Sequence, residues 1–284
     1  MRNLVLSVLL SCCAFFVCHA DTSCDPDARD VVYDRNLPQF CRGDVYLPAG
    51  SVSNAPVAVL IHGGGWGSGS PGSVRGIAGF LKSAGYVVFN IRYRLSGQAA
   101  WPACGDDCVN ACRFVLSRGL SDRFGVNPER ITVIGGSAGG HLALWAGLTL
   151  GPRVSKIVSI SGIADPYSTV HLHRGMYRGL LRADPTPERL ASIDPTKLLG
   201  SGSPEILCTH AKDDRVVAFA SSAVFADACR KKGVRCRLYA YDSGTAETTG
   251  GHFIWRKGTA DPRRLVGHLE REIAEFLGGP RRVK

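Results

Sequence analysis

"ITVIGGSAGGHLALWAG", residues 131–147, runs through three kinds of sequence without a break. Ile131-Thr132-Val133-Ile134 is apolar and β-branched and reads as a buried strand, and His141-Leu142-Ala143-Leu144-Trp145-Ala146 reads as a helix. Between them Gly135 to Gly139, GGSAG, fits G-x-S-x-G. In a chain with 34 glycines that match says little on its own. Strand before and helix after are the setting in which the motif turns sharply and lifts a serine hydroxyl above a sheet. Small residues at Gly135 and Gly139 permit the turn, and the helix that follows aims its partial positive charge at the same spot. The bland alternative is a glycine-rich turn with an idle serine. The flanking elements favour Ser137 as an exposed nucleophile.

Outward from this turn the chain alternates. Asp44-Val45-Tyr46-Leu47-Pro48 reads as an early strand ended by proline, Val57 to Ile61 as a buried strand, about Ser73 to Ser83 as a helix, and Tyr86 to Ile91 as a strand. A helix from Asp106 to Arg118, stopped by Gly119, precedes the strand at Ile131, and a strand Ile157–Ile160 follows the helix His141–Leu150. Between Gly162 and Pro204 the rhythm breaks in a stretch rich in Pro, Arg and His, which reads as an insertion (about 163–203) over the sheet's end. Alternation resumes with the strand Glu205–His210, a helix over about Val217–Lys231, the strand Arg237–Tyr241 and a helix over about Pro262–Leu277. Repeated alternation predicts an α/β fold with a mostly parallel central sheet and helices on both faces. Residues 21–284 read as one domain, because this length can bury a single large core.

A serine hydroxyl is a weak nucleophile at neutral pH and needs a base, which in turn needs a partner to fix its tautomer. Asp213 and Asp214 follow one strand's carboxyl end, and His252 follows the next strand in Gly250-Gly251-His252-Phe253. The order Ser137, Asp214, His252 is that of an α/β-hydrolase, whereas trypsin-like and subtilisin-like chains run in other orders. A carbonyl under attack also needs donors for its oxygen. "HGGGWGSGS", residues 62–70, places five glycines directly after the strand Val57–Ile61. The bare backbone N–H groups of Gly64 and Gly65, with that of Ala138, are the candidate oxyanion hole. This loop lacks both G-x-x-x-x-G-K-[ST] and G-x-G-x-x-G, which argues against a nucleotide cradle. Trp66 is a candidate pocket wall or a core residue, His62 a brace for the loop, and His141 a locally bonded ring. His171 and His173 have no third metal ligand in view and read as part of a surface insertion.

Asp44-Val45-Tyr46-Leu47-Pro48, His62-Gly63-Gly64-Gly65-Trp66, Asn90-Ile91-Arg92-Tyr93-Arg94, Gly135 to Gly140, His210-x3-Asp214-x2-Val217 and Gly251-His252-Phe253 resemble, jointly and in order, the α/β-hydrolase carboxylesterases. The likeness is to the group related to hormone-sensitive lipase and to the bacterial feruloyl-esterase-like BD-FAE group, over about residues 43–276. It implies a serine carboxylesterase of α/β-hydrolase fold with Asp214, which precedes Val217 by three residues, as the acid rather than Asp213. It also implies that the insertion shapes the acyl or alcohol pocket. Ala211 departs from the family, which often has glycine there, and the cysteines are extra. HGGxW also resembles kynurenine formamidases, so arylformamidase-like amide cleavage is the second expectation. A non-catalytic binding protein on the same scaffold is the third. The chemistry calls for no metal and no organic cofactor.

The first twenty residues carry Arg2, an apolar run from Leu4 to Val17 and Ala20, the pattern of a signal peptide (1–20) cut after Ala20. The run is shorter than the roughly 20 residues a membrane span needs, and no transmembrane span is expected. Leu9-Leu10-Ser11-Cys12 loosely resembles a lipidation box but would truncate the apolar region. A secreted or periplasmic location follows, and with it disulfides among Cys24, Cys41, Cys104, Cys108, Cys112, Cys208, Cys229 and Cys236. Zinc is the rival reading for Cys104-x3-Cys108-x3-Cys112, which lacks C-x2-C spacing. The net charge of +10 is scattered, and no nucleic-acid-binding motif accompanies it. The expected partner is a small-molecule or cell-wall-derived ester.

Overall fold

The computed structural model describes residues 24–53, 55–126, 128–129, 131–244, 247–249, 251–256 and 264–278. The expected signal peptide, the Leu9–Cys12 box and the basic tail at Arg281, Arg282 and Lys284 lie outside the described residues. Among those described, one sheet takes the order β1 (Ala28–Val32), β2 (Arg42–Tyr46), β4 (Val87–Ile91), β3 (Val57–Ile61), β5 (Ile131–Gly136), β6 (Val154–Ile160), β7 (Glu205–Ala211), β8 (Cys236–Tyr241). β1 pairs antiparallel with β2 and β2 with β4, and every pair from β4 to β8 is parallel. The central strands β3, β4 and β5 are buried at every position, as expected for strands covered on both faces.

The connections supply the cover. α1 (Arg75–Ser83) and α8 (Gly267–Leu277) lie on one face, where Ile77, Ala78, Leu81, Leu269, Ile273 and Phe276 meet Leu60, Val88, Ile134 and Leu207. α2 (Ala103–Leu116), α4 (Ala138–Leu150) and α7 (Ala220–Lys231) lie on the other, packing Val109, Leu142 and Phe225 on Val59, Val133 and Ile206. Each such side chain contributes roughly 1.5–3 kcal/mol of burial, which is what holds the layers together. The helices begin where local chemistry allows. α4 starts at Ala138, at the turn itself and three residues before the apolar run suggested, and α2 starts at Ala103, directly after Pro102. α3 (Ser121–Phe124) is a single turn closed by Gly125 at φ 68°.

The stretch expected as an insertion holds α5 (Arg174–Leu181) and α6 (Pro187–Ala191). Thr186 caps α6 by accepting from Arg189 N–H. A separate two-stranded ribbon, β9 (Glu247–Thr249) with β10 (His252–Trp255), carries His252, which therefore sits at the start of a strand. No helix among the described residues is long and apolar enough to cross a membrane.

Cys104, Cys108 and Cys112 carry buried free thiols one helical turn apart along α2. Side chains at i and i+4 of a helix stand about 5–6 Å apart at Cβ, farther than a disulfide between them needs. Burial pushes Cys104 and Cys112 up to about 12, which disfavours their thiolate form. Cys208 on β7, Cys229 on α7 and Cys236 on β8 gather beneath α7.

Candidate active site

Ser137 occupies the turn between β5 and α4 with φ 55° and ψ −126°, a left-handed conformation that a serine holds only under constraint. The constraint is visible. Its N–H donates to Ile160 O at 2.9 Å, and its carbonyl accepts from Gly140 N–H at 2.9 Å and His141 N–H at 3.2 Å. A Cβ on Gly139 would stand 2.3 Å from Ile61 O and one on Gly135 would stand 2.1 Å from Gly139 O, so only glycine lets the turn seat against the end of β3. That contact brings Ser137 beside the loop that leaves β3, the glycine run at 62–70.

In that loop Gly64 has φ 116° and Gly65 φ 58°. Gly64 O accepts from Gly67 N–H at 3.1 Å and Ser68 N–H at 3.0 Å, which curls the loop on itself. Among the described residues the N–H groups of Gly64, Gly65 and Ala138 donate to no protein acceptor. His62 braces the loop from beneath. Its Nδ1 lies 2.7 Å from Gly63 O, its carbonyl accepts from Tyr93 OH at 3.1 Å, and its ring stacks on Tyr93 at 4.4 Å. Trp66 is fully buried, so it is a core residue rather than an open wall. Its indole N–H donates to His141 Nδ1 at 3.2 Å, while His141 Nε2 donates to Ile193 O at 2.7 Å. Loop, α4 and insertion are joined through that one ring.

Asp214 lies just past the carboxyl end of β7, two strands from Ser137 on the same edge of the parallel sheet. Its Oδ1 accepts from Val216 N–H at 2.8 Å and Val217 N–H at 2.9 Å, the short-range bonding an aspartate makes in a turn. His252 Nδ1 is 2.8 Å from Asp214 Oδ2. Burial alone would raise this carboxyl. Hydrogen bonds from His210 and then His252 outweigh it and hold Asp214 well below the usual carboxylate range. Asp213 points elsewhere, accepting from the N–H and hydroxyl of Ser243. A Cβ on Gly251 would fall 2.8 Å from Asp213 O, so the residue before His252 lets the ribbon close on the acid turn.

The structure therefore brings Ser137 to the glycine loop and His252 to Asp214, on one edge of the sheet. Three contacts around these residues are not given by the sequence reading. Met176 on α5 lies over Gly65, where a Cβ would meet its sulfur at 2.4 Å. His173 bonds Val216 O at 2.5 Å and so ties the insertion to the acid turn, while His171 is exposed. His210 contacts Asp214 itself, and its place four residues before that acid is the only one of these signals present in the sequence.

Among relatives, the probable isoprenylcysteine alpha-carbonyl methylesterase ICMEL1 of Oryza sativa subsp. japonica is 27% identical over 242 residues, covering 76% of this chain and 56% of that protein. Esterase LipQ of Mycobacterium tuberculosis is 26% identical over 243 residues, covering 79% of this chain and 55% of that protein. The chain thus spans about half the length of these relatives. A truncated carbohydrate esterase from gut microbiota superposes with a TM-score of 0.70 at 23% identity, covering 76% of this chain and 87% of that one. Est2, an esterase of Thermogutta terrifontis, gives 0.67 at 23% identity over 87% and 89% of the two chains. These likenesses show the fold, which is that of the α/β-hydrolases. Residues 43–229, from β2 through most of α7, match the BD-FAE family model, and the chain belongs to the BD-FAE family.

Proposed function

We propose that this chain is a serine carboxylesterase acting through Ser137, His252 and Asp214, exported by its leader to the periplasm or the exterior. The observation that carries the reading is the bonded His252–Asp214 pair on the sheet edge that also bears the constrained turn at Ser137. His252 removes the Ser137 proton as Oγ attacks the ester carbonyl, and the C=O electron pair moves onto oxygen. The N–H groups of Gly64, Gly65 and Ala138 receive that charge, each worth about 3 kcal/mol of transition-state stabilisation. Collapse expels the alcohol with the proton from His252. Water, deprotonated by the same ring, then releases the acid and restores the serine. Asp214 accepts from Nδ1–H throughout and stabilises the imidazolium. Membership of the BD-FAE family and the esterase names of the relatives support ester over amide substrates.

A fluorophosphonate probe and a panel of aryl esters graded by acyl length test this. The expected result is probe labelling at Ser137, aryl-ester turnover, and loss of both in Ser137→Ala, with turnover down about 10⁴-fold or more. Turnover surviving in Ser137→Ala overturns the nucleophile. Faster cleavage of a formanilide than of the best aryl ester moves the reading to amide hydrolysis, and a wild-type protein that neither labels nor turns over is a binding protein on this scaffold.

A further inference from the structure

The acid of this site carries two imidazoles. Besides His252, the fully buried His210 near the end of β7 places Nε2 3.3 Å from Asp214 Oδ2 and 2.9 Å from Val217 O. Its Nδ1 lies 2.7 Å from Ser222 Oγ, in the first turn of α7. A backbone carbonyl and a carboxylate only accept, so the Nε2 position bears a hydrogen shared between them, and a neutral ring then accepts the Ser222 hydroxyl hydrogen at Nδ1. Phe219 packs edge-on against the ring at 5.9 Å, which limits its rotation. The tautomer and the plane of His210 are thus set by four partners in the connection after β7 and the first turn of α7.

This arrangement bears on the geometry of Asp214. Two backbone N–H groups pin Oδ1 but leave the carboxylate free to swing about that oxygen. Two ring donors from different elements, β7 and the ribbon β9–β10, define where Oδ2 lies. A histidine required only for packing would be satisfied by Val217 O and Ser222 Oγ alone. His210 Nε2 faces the acid as well.

We propose that His210 is a positioning residue, its Nε2–H aiming Asp214 Oδ2 at His252 Nδ1 while Ser222 fixes the tautomer that makes this donation possible. The proposal rests on the esterase reading for its effect on rate. It also has a readout independent of turnover, the downfield proton resonance of the His252–Asp214 hydrogen bond.

The test compares His210→Phe, which keeps a ring but no donor, His210→Gln, which keeps a donor near the Nε2 position, and Ser222→Ala. With an aryl acetate as substrate, the expected result is kcat lowered about ten- to a hundredfold in His210→Phe with KM nearly unchanged, as for loss of a hydrogen bond to a charged group. Gln recovers most of that loss, Ser222→Ala shows a smaller one, and the downfield resonance shifts or broadens in His210→Phe. Equal losses in the Phe and Gln variants, an unmoved resonance in His210→Phe, or full kcat in that variant each overturn the proposal. If the wild-type protein cleaves no ester, the esterase reading falls separately, and the resonance comparison still decides whether His210 orders the acid.

Discussion

His141 and His62 show how single residues make the site dependent on pH through folding. Trp66 donates to His141 Nδ1 and Ile193 O accepts from Nε2, so a second ring proton would face a donor. Burial pushes both rings down to about 4. In the unfolded chain they return to the ordinary imidazole range near 6.5. Between those values the unfolded chain binds protons that the folded one refuses, so stability falls as pH drops from about 6.5 and the slope levels near 4. Each ring accounts for up to about 3 kcal/mol across that window. Urea unfolding measured from about pH 7 to about pH 4 should show this decline, and His141→Gln should flatten it. Wild-type stability that stays level across the window contradicts the assignment. Gly65 supplies a test of another kind. With φ 58° and Met176 Sδ 2.4 Å from its missing Cβ, Gly65→Ala strains the backbone and displaces the methionine. The thioether is flexible, so stability should change by only about 1–2 kcal/mol. On the oxyanion reading kcat should fall about tenfold or more. A variant with full kcat removes Gly65 from that role.

At the scale of elements, the strand ends are held to their helices by few, strong contacts. Arg94, just past β4, donates its N–H to Asp107 Oδ2 at 2.8 Å and its guanidinium to the same carboxylate at 2.7–3.1 Å. Asp107 on α2 is fully buried. Arg94→Ala leaves the fully buried Asp107 carboxylate without its counter-charge and should cost about 3 kcal/mol in chemical or thermal unfolding, more than Asp107→Ala, which leaves a guanidinium that solvent can reach. Equal losses would show the pair to be replaceable by solvent. Such contacts also explain what could be read in advance. The alternation of β3 to β8 with their helices was legible because the central strands β3 and β5 are apolar almost throughout and the others carry apolar or aromatic stretches between helical ones, and the turn at Ser137 because glycine is needed on both sides of it. β1, Ala28-Arg29-Asp30-Val31-Val32, was not, since the charged pair Arg29-Asp30 interrupts this edge strand and only Val31 in it is buried. The ribbon carrying His252 is not legible either, because strands of three and four residues leave no period to count. Met176 over Gly65 and His173 on Val216 join segments far apart in the chain, and nothing local in either marks its partner.

Across the whole molecule, the site's groups are anchored unequally. Ser137 and Asp214 leave the carboxyl ends of central parallel strands whose two faces are covered by helices, the part of a fold that opens last. His252 arrives on the two-stranded ribbon β9–β10, which is a sheet of its own beside the main one. A ribbon of two short strands is marginal by itself in water. It gains its place from the bond to Asp214, from Trp255 packed in the α8 layer, from the bridge Trp255–Leu265, and from Arg256 N–H on Arg264 O at 2.7 Å. Opening it exposes little apolar surface compared with opening the sheet. Ribbon release should therefore occur at denaturant concentrations that leave the sheet intact. On the proposed triad, aryl-ester turnover in a urea titration should fall before the far-ultraviolet circular dichroism signal does, and fluorophosphonate labelling of Ser137 should fall with turnover because both would need His252 as base. Turnover, labelling and helix signal lost in one coincident transition would mean instead that the ribbon folds as one unit with the sheet, with the His252–Asp214 bond as strong a tie as the strand pairing beneath it.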